Sequence, residues 1–117
     1  MIGGYLSLQG FDGVARWRNT AVEAAPPVTC LPLDDRVETP EGFSAVIDAP
    51  GHPILAGLTE APWPVLLGLN ETALKRAGTL LASAPAAQGG HPLLAVGEHG
   101  EGRSLAWMSD LGPHWAP

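Results

Sequence analysis

Met1-Ile2-Gly3-Gly4-Tyr5-Leu6-Ser7-Leu8-Gln9 opens the chain, and the rest is read outward from it. Two apolar residues run straight into a glycine pair, the pattern of a buried strand that ends in a sharp turn. Glycines permit the strained backbone that lifts one side chain clear of a sheet, and enzymes use such turns to present a nucleophile. Here the presented residue is Tyr5, and the turn carries no cysteine.

Beyond the turn, residues 9–19 combine Gly10 and Gly13 with interleaved aromatic and basic residues and read as an exposed connection. Thr20 and Glu23 have capping-box spacing for a short helix that Pro26-Pro27 stops. At that length the helix needs tertiary packing to persist. Residues 28–33 are β-prone up to Pro32. Asp34-Asp35-Arg36 then reads as a solvated turn with a local ion pair. An extended segment resumes at Val37 and runs to Pro40-Glu41-Gly42. Residues 44–48 form a further strand candidate. The segment 52–58 reads as one helical turn, opened by proline and closed by glycine.

Residues 63–69 and 79–84 read as strands, and 70–77 fits a helix or a strand almost equally. Residues 85–90 read as a flexible loop. The best-defined unit closes the sequence. Two apolar runs, 92–97 and 103–110, flank Glu98-His99-Gly100-Glu101-Gly102, the signature of an antiparallel hairpin. Near-continuous apolarity predicts that both of its faces are covered, with Trp107 in the core.

The 117 residues suit one domain. Hydrophobic residues at 45% against 15% charged are enough to build a core. Fifteen glycines and twelve prolines, dispersed through apolar segments, indicate many short elements. Twelve acidic against six basic residues, a formal charge of −6, disfavour nucleic acid as a partner. No basic amphipathic stretch points to a membrane surface, and no apolar run approaches the ~18–20 residues that span a bilayer. Without a charged-then-apolar leader, and with Cys30 alone excluding an intrachain disulfide, a cytoplasmic location is expected.

Taken together these pieces resemble the putative glutamine amidotransferase family, within the class I glutamine amidotransferase-like superfamily. The resemblance rests on MIGGYLSLQGFDG, PVTCLPLDDRVETPEG, HPILAGL, PWPVLLGLN and LLAVGEHGEGRSLAWMSDLGPHW, in that order over nearly the whole chain. It implies a flavodoxin-like α/β sandwich roughly twice this length, a size ordinary for doubly wound domains. The expectation is therefore a partial, strand-rich sandwich with a C-terminal antiparallel hairpin. Residues 1–117 would be one domain matching the C-terminal half, truncated at both ends. An apolar strand without its parallel neighbours exposes backbone donors and acceptors, so self-association or pairing with a missing segment is expected.

Glutaminases of the superfamily carry a G-x-C-x-G-x-Q turn and a His-x-Glu pair after the last long strand. Gly3, Leu6 and Gln9 fall in register with the turn, but Tyr5 stands at the cysteine position and Ser7 at the second glycine. A phenol ionising near ~10 cannot replace a low-pKa thiolate in amide attack. Met108-Ser109-Asp110 stands where His-x-Glu is due, and His114 follows a few residues later. Gly4, Tyr5, Ser7, Asp110 and His114 are the candidate crevice, since strand ends converge on one edge of an α/β sheet. Ser109 is a further candidate beside Asp110.

Other groups are read more plainly. Cys30 sits mid-strand and reads as a buried structural thiol. His52 and His91 precede prolines and read as turn or strand-entry residues, while His99 sits on the hairpin tip. Trp17, Trp63, Trp107 and Trp115 read as core and interface aromatics. No spacing fits a zinc site and no glycine loop fits a phosphate, so neither metal nor cofactor is expected.

Two readings follow, with no catalytic residue assigned. In the first, a degenerate domain binds a small polar metabolite or a partner protein without hydrolysing glutamine. In the second, a hydrolase or amidotransferase subunit uses other residues, such as Ser7 or His114, with the rest of its site on a missing N-terminal half. A truncated reading frame without independent function is the third alternative.

Overall fold

Short apolar runs separated by glycine and proline build a structure made mostly of strands. The computed structural model describes residues 1–117. In chain order the strands are β1 (Val28–Cys30), β2 (Arg36–Phe43), β3 (Val46–Ile47), β4 (Leu66–Asn70), β5 (Thr72–Leu74), β6 (Thr79–Ser83), β7 (Pro92–His99) and β8 (Gly102–Trp107). One short helix, α1 (Ala21–Ala24), precedes them, with 3-10 turns at Phe11–Gly13, Pro53–Leu55 and Ala86–Gln88. The four-stranded sheet runs β3-β6-β7-β8, and β1-β5 and β2-β4 form two-stranded ladders. Every strand pair is antiparallel. The exception lies at the start of the chain, where Ile2 bridges Trp107 in the parallel sense.

The hairpin forms as expected, with register from Leu94↔Trp107 to His99↔Gly102. Its two-residue connection places Gly100, at φ 57°, where a tight hairpin turn needs a left-handed residue. Successive residues of β7 point to opposite faces and serve different clusters. Ala95 packs with Leu8, Val28, Cys30, Ala106 and Met108, and Leu93 packs with Phe43, Leu66, Leu69 and Ala84. Leu94 points the other way, to Leu55, Leu81 and Ala82. This is a strand-rich α/β arrangement of the kind a partial flavodoxin-like sandwich requires.

Several local expectations are corrected. β2 passes straight through Pro40, because its ladder with β4 is interrupted between Glu38 and Phe43 and no partner there needs the missing N–H. Over residues 70–77, where helix and strand were both open, the chain ends β4 at Asn70 and forms the short strand β5 at Thr72–Leu74, with no helix. The capping box does not form. Thr20 donates its hydroxyl to Trp17 C=O, and the Glu23 carboxylate accepts Cys30 N–H at 3.0 Å. The helix is held instead by Lys75, whose ammonium donates to the free carbonyls of Glu23 and Ala24. Coverage of the hairpin is also incomplete: Trp107 is half-buried and Leu105 remains 38% exposed.

Candidate functional site

The opening turn is fixed at both ends by backbone bonds. Gly3 N–H donates to Trp107 C=O at 2.6 Å, and Trp107 N–H donates to Met1 C=O at 3.0 Å. Gly4 C=O then accepts Ser7 N–H at 3.0 Å, closing a β-turn with Tyr5 and Leu6 at its corners. Glycine is required at position 3 for space. A Cβ there would lie 2.6 Å from both Asn70 Oδ1 and Met108 C=O. The strain expected at the presented residue sits elsewhere, since the non-glycine residue of this turn with positive φ is Leu8 (58°), not Tyr5.

Beneath the turn lies a buried pair that the sequence reading missed. Asp35, 1% exposed, accepts Gln9 N–H on Oδ2 at 3.0 Å and Gly10 N–H on Oδ1 at 2.9 Å. Asn70, fully buried, donates Nδ2 to Asp35 Oδ1 at 2.9 Å and to Gly4 C=O at 3.2 Å. Its Oδ1 accepts Gly4 N–H at 2.7 Å. Asp35 thus holds the end of the turn and Asn70 its beginning. Asp35 therefore departs from the solvated turn expected for Asp34-Asp35-Arg36, and Gln9 is buried rather than exposed. Asn70 gave one sequence signal, a polar residue ending the apolar run of β4.

Above the turn the exposed groups converge on the Tyr5 ring. The Arg36 guanidinium lies 4.5 Å from the Tyr5 ring centre and 4.6 Å from that of Phe11. The two rings stack at 5.6 Å, and His114 meets Tyr5 edge-on at 5.0 Å. Asp34 grips Arg36 through Nε and Nη2, at 2.9 and 2.7 Å. That pairing drives the Asp34 carboxyl well below the usual carboxylate range and the guanidinium further up. The remaining nitrogen, Nη1, stands 3.8 Å from Glu38 Oε1. His114 Nε2 stands 3.7 Å from the same oxygen, and Trp115 Nε1 donates to Glu38 Oε2 at 3.1 Å.

The structure brings together the residues expected from the sequence. A Cβ on Gly4 would lie 3.4 Å from Ser7 Oγ and 3.6 Å from Asp110 Cβ, and His114 touches Tyr5. Their states differ, however. Asp110 accepts the N–H groups of Gly112, Trp115 and Ala116 and so locks the C-terminal turn. Ser109 is buried and donates to Gly68 C=O at 2.9 Å. Ser7 Oγ meets no general base. The sequence reading did not single out Arg36, Glu38 or Phe11 as site residues. The β2 ladder and the Phe11–Gly13 turn bring Arg36 and Phe11 to Tyr5 and Glu38 to Arg36 and His114, and no local motif announces it.

Two hollows of about 680 and 690 Å³ lie away from this cluster, beside β8. No group of histidine, cysteine and carboxylate side chains could hold a metal. Cys30 is 2% exposed, and burial, reinforced by Glu23, pushes its thiol up to about 12. A thiol so placed is inert as a nucleophile. No helix is long and apolar enough to cross a membrane.

Comparison with known proteins agrees with the fold. The family model described as putative glutamine amidotransferase matches residues 1–117. Cytoplasmic protein STM3548 from Salmonella typhimurium superposes with a TM-score of 0.88 at 38% identity, over 98% of this chain and 44% of that one. Cytoplasmic protein STM1381 from Salmonella typhimurium LT2 superposes with a TM-score of 0.87 at 40% identity, with the same coverage of 98% and 44%. The chain thus spans less than half the length of these two structures. No curated protein matches it. By fold, turn and family match over its whole length, the chain belongs to the putative glutamine amidotransferase family.

Proposed function

We propose that this amidotransferase-like domain binds a small polar metabolite at the Tyr5–His114 cluster and does not hydrolyse glutamine, acting in the cytoplasm. The observation that carries the reading is the phenol of Tyr5 on the turn beside β8, stacked against Phe11 and Arg36. A thiolate paired with histidine is what amide attack needs, and the single thiol of the chain is buried under a different cluster. The polar character of the ligand is supported by Glu38. Its Oε1 stands 3.8 Å from Arg36 Nη1 and 3.7 Å from His114 Nε2, too far for direct hydrogen bonds. A hydroxyl or amide of a ligand, which can donate to Glu38 and accept from the cation, can bridge such gaps as an ordered water does. The aromatic faces of Tyr5 and Phe11 offer an apolar wall beside them.

The test is an NMR titration of the chain with amino acids, a ribonucleoside and a hexose, following the His114 ring protons and the Tyr5 ring. Saturable shifts at both residues, lost in Tyr5→Ala and in Glu38→Gln, are expected for at least one compound. A panel that moves neither ring, or shifts that persist in both variants, would refute the assignment.

A further inference from the structure

The cluster around Tyr5 leaves three hydrogen-bonding atoms free, and their arrangement selects a partner. Asp34 takes Nε and Nη2 of Arg36, so Nη1 is the guanidinium nitrogen left to donate. Trp115 Nε1 takes Oε2 of Glu38, so Oε1 is the oxygen left to accept. His114 Nε2 faces that oxygen and carries a hydrogen both in the neutral tautomer the carboxylate favours and in the imidazolium, so it donates in either state. Nη1 lies 3.8 Å and Nε2 3.7 Å from Oε1. One acceptor thus stands about equally far from two donors.

A planar amide spans these gaps better than a hydroxyl does. A hydroxyl oxygen seated ~2.8 Å from both Oε1 and Nη1 would subtend an angle of about 85° across the 3.8 Å gap, well short of tetrahedral. Adjacent N–H and C=O groups of an amide hold donor and acceptor atoms ~2.2 Å apart, and hydrogen bonds of ~2.9 Å fan out from them to the wider spacing. A simple amide has one carbonyl beside its N–H. A cyclic imide has one on each side, and so meets Arg36, Glu38 and His114 together.

Charge and shape narrow the class further. Asp34, Glu38 and the Asp110 carboxylate beside Gly4 surround a single guanidinium in a chain of charge −6, so a phosphate or carboxylate is repelled. Phe11 is 40% exposed and the His114 side chain 52%, an aromatic surface that suits a flat ring. Resting on the polar-ligand site assigned above, we infer that its ligand is a neutral cyclic imide of the uracil type, a free base or nucleoside without phosphate. The ring N–H donates to Glu38 Oε1, one flanking carbonyl accepts from Arg36 Nη1 and the other from His114 Nε2.

The experiment titrates the 117-residue chain with uridine, 3-methyluridine, cytidine and uridine monophosphate, following the Tyr5 and His114 ring resonances. Uridine should give saturable shifts at both rings. 3-Methyluridine has lost the donor, and cytidine presents an acceptor where uridine has its N–H, so each should bind about tenfold more weakly or worse. The monophosphate should also bind more weakly than uridine, by a margin that shrinks as salt is raised. Glu38→Gln should abolish uridine binding, because Trp115 Nε1 holds the amide oxygen and an NH2 then stands where Oε1 was. An unmoved Trp115 indole resonance reports that this variant is folded. Uridine that moves neither ring, or that binds folded Glu38→Gln unaltered, would overturn the inference. So would 3-methyluridine, cytidine or the monophosphate matching uridine. If a hexose or an amino acid shifts both rings and uridine does not, the imide falls and the polar-ligand site stands; if no compound shifts them, both fall.

Discussion

Asp35→Ala isolates what holds the opening turn in place. The substitution removes the acceptors of Gln9 N–H, Gly10 N–H and Asn70 Nδ2, three donors in a site that is 1% exposed. A buried donor left without a partner costs about 1–3 kcal/mol, so water entry and partial collapse bring the total to about 3–6 kcal/mol. That is a large share of the ~5–15 kcal/mol that keeps an ordinary domain folded. Asp35→Asn keeps the shape and one oxygen but sets an NH2 against a backbone N–H, costing about 1–3 kcal/mol. Urea titration followed by tryptophan fluorescence reads the stability, and the ring-current shift of His114 by Tyr5 reads the turn. An Asp35→Ala chain within ~1 kcal/mol of the parent, with His114 still shifted, would refute the claim that this carboxylate positions the turn.

The other predictions are briefer. Gly3→Ala should lower the thermal midpoint sharply or prevent folding, because its Cβ meets Asn70 Oδ1 and Met108 C=O at 2.6 Å; Gly51→Ala, with open space around it, should not. Gly68→Ala should expel the Trp115 indole, whose Nε1 would lie 2.3 Å from the new Cβ, and shift tryptophan emission to the red. Cys30 should resist alkylation at pH 8 until the chain unfolds. Its folded thiol titrates near 12, above the ordinary 9.0, so the unfolded chain loses the proton first. Stability should therefore fall as pH rises from about 9 to about 12, a fall that Cys30→Ala removes in urea titrations across that range.

Local chemistry made much of the fold legible. The hairpin was written in two apolar runs around Gly100, and the Pro53–Leu55 turn in its opening proline. Pairings between distant segments were not legible. Nothing near Pro40 says that the β2 ladder breaks there, and nothing in 70–77 says that β5 will find β1. Thr20–Glu23 failed as a capping box because tertiary partners, Trp17 C=O and Cys30 N–H, took both side chains. At the site the turn could be read from its glycines and Tyr5, as could the approach of His114 behind the last strand. Asp35 could not, since a carboxylate in a polar triplet gives no sign that it will be buried under a loop 25 residues earlier. Arg36 and Glu38 were equally silent, because Arg36 reaches Tyr5, and Glu38 reaches His114, only once β2 pairs with β4.

Ammonia release from millimolar glutamine is the decisive assay for the proposal that the Tyr5 turn binds without hydrolysing glutamine. The chain should release none above the buffer rate, at any pH from 6 to 9 (roughly the range in which a glutaminase thiolate works). Release that Tyr5→Phe or His114→Ala abolishes would contradict it, and would make this cluster a catalytic one.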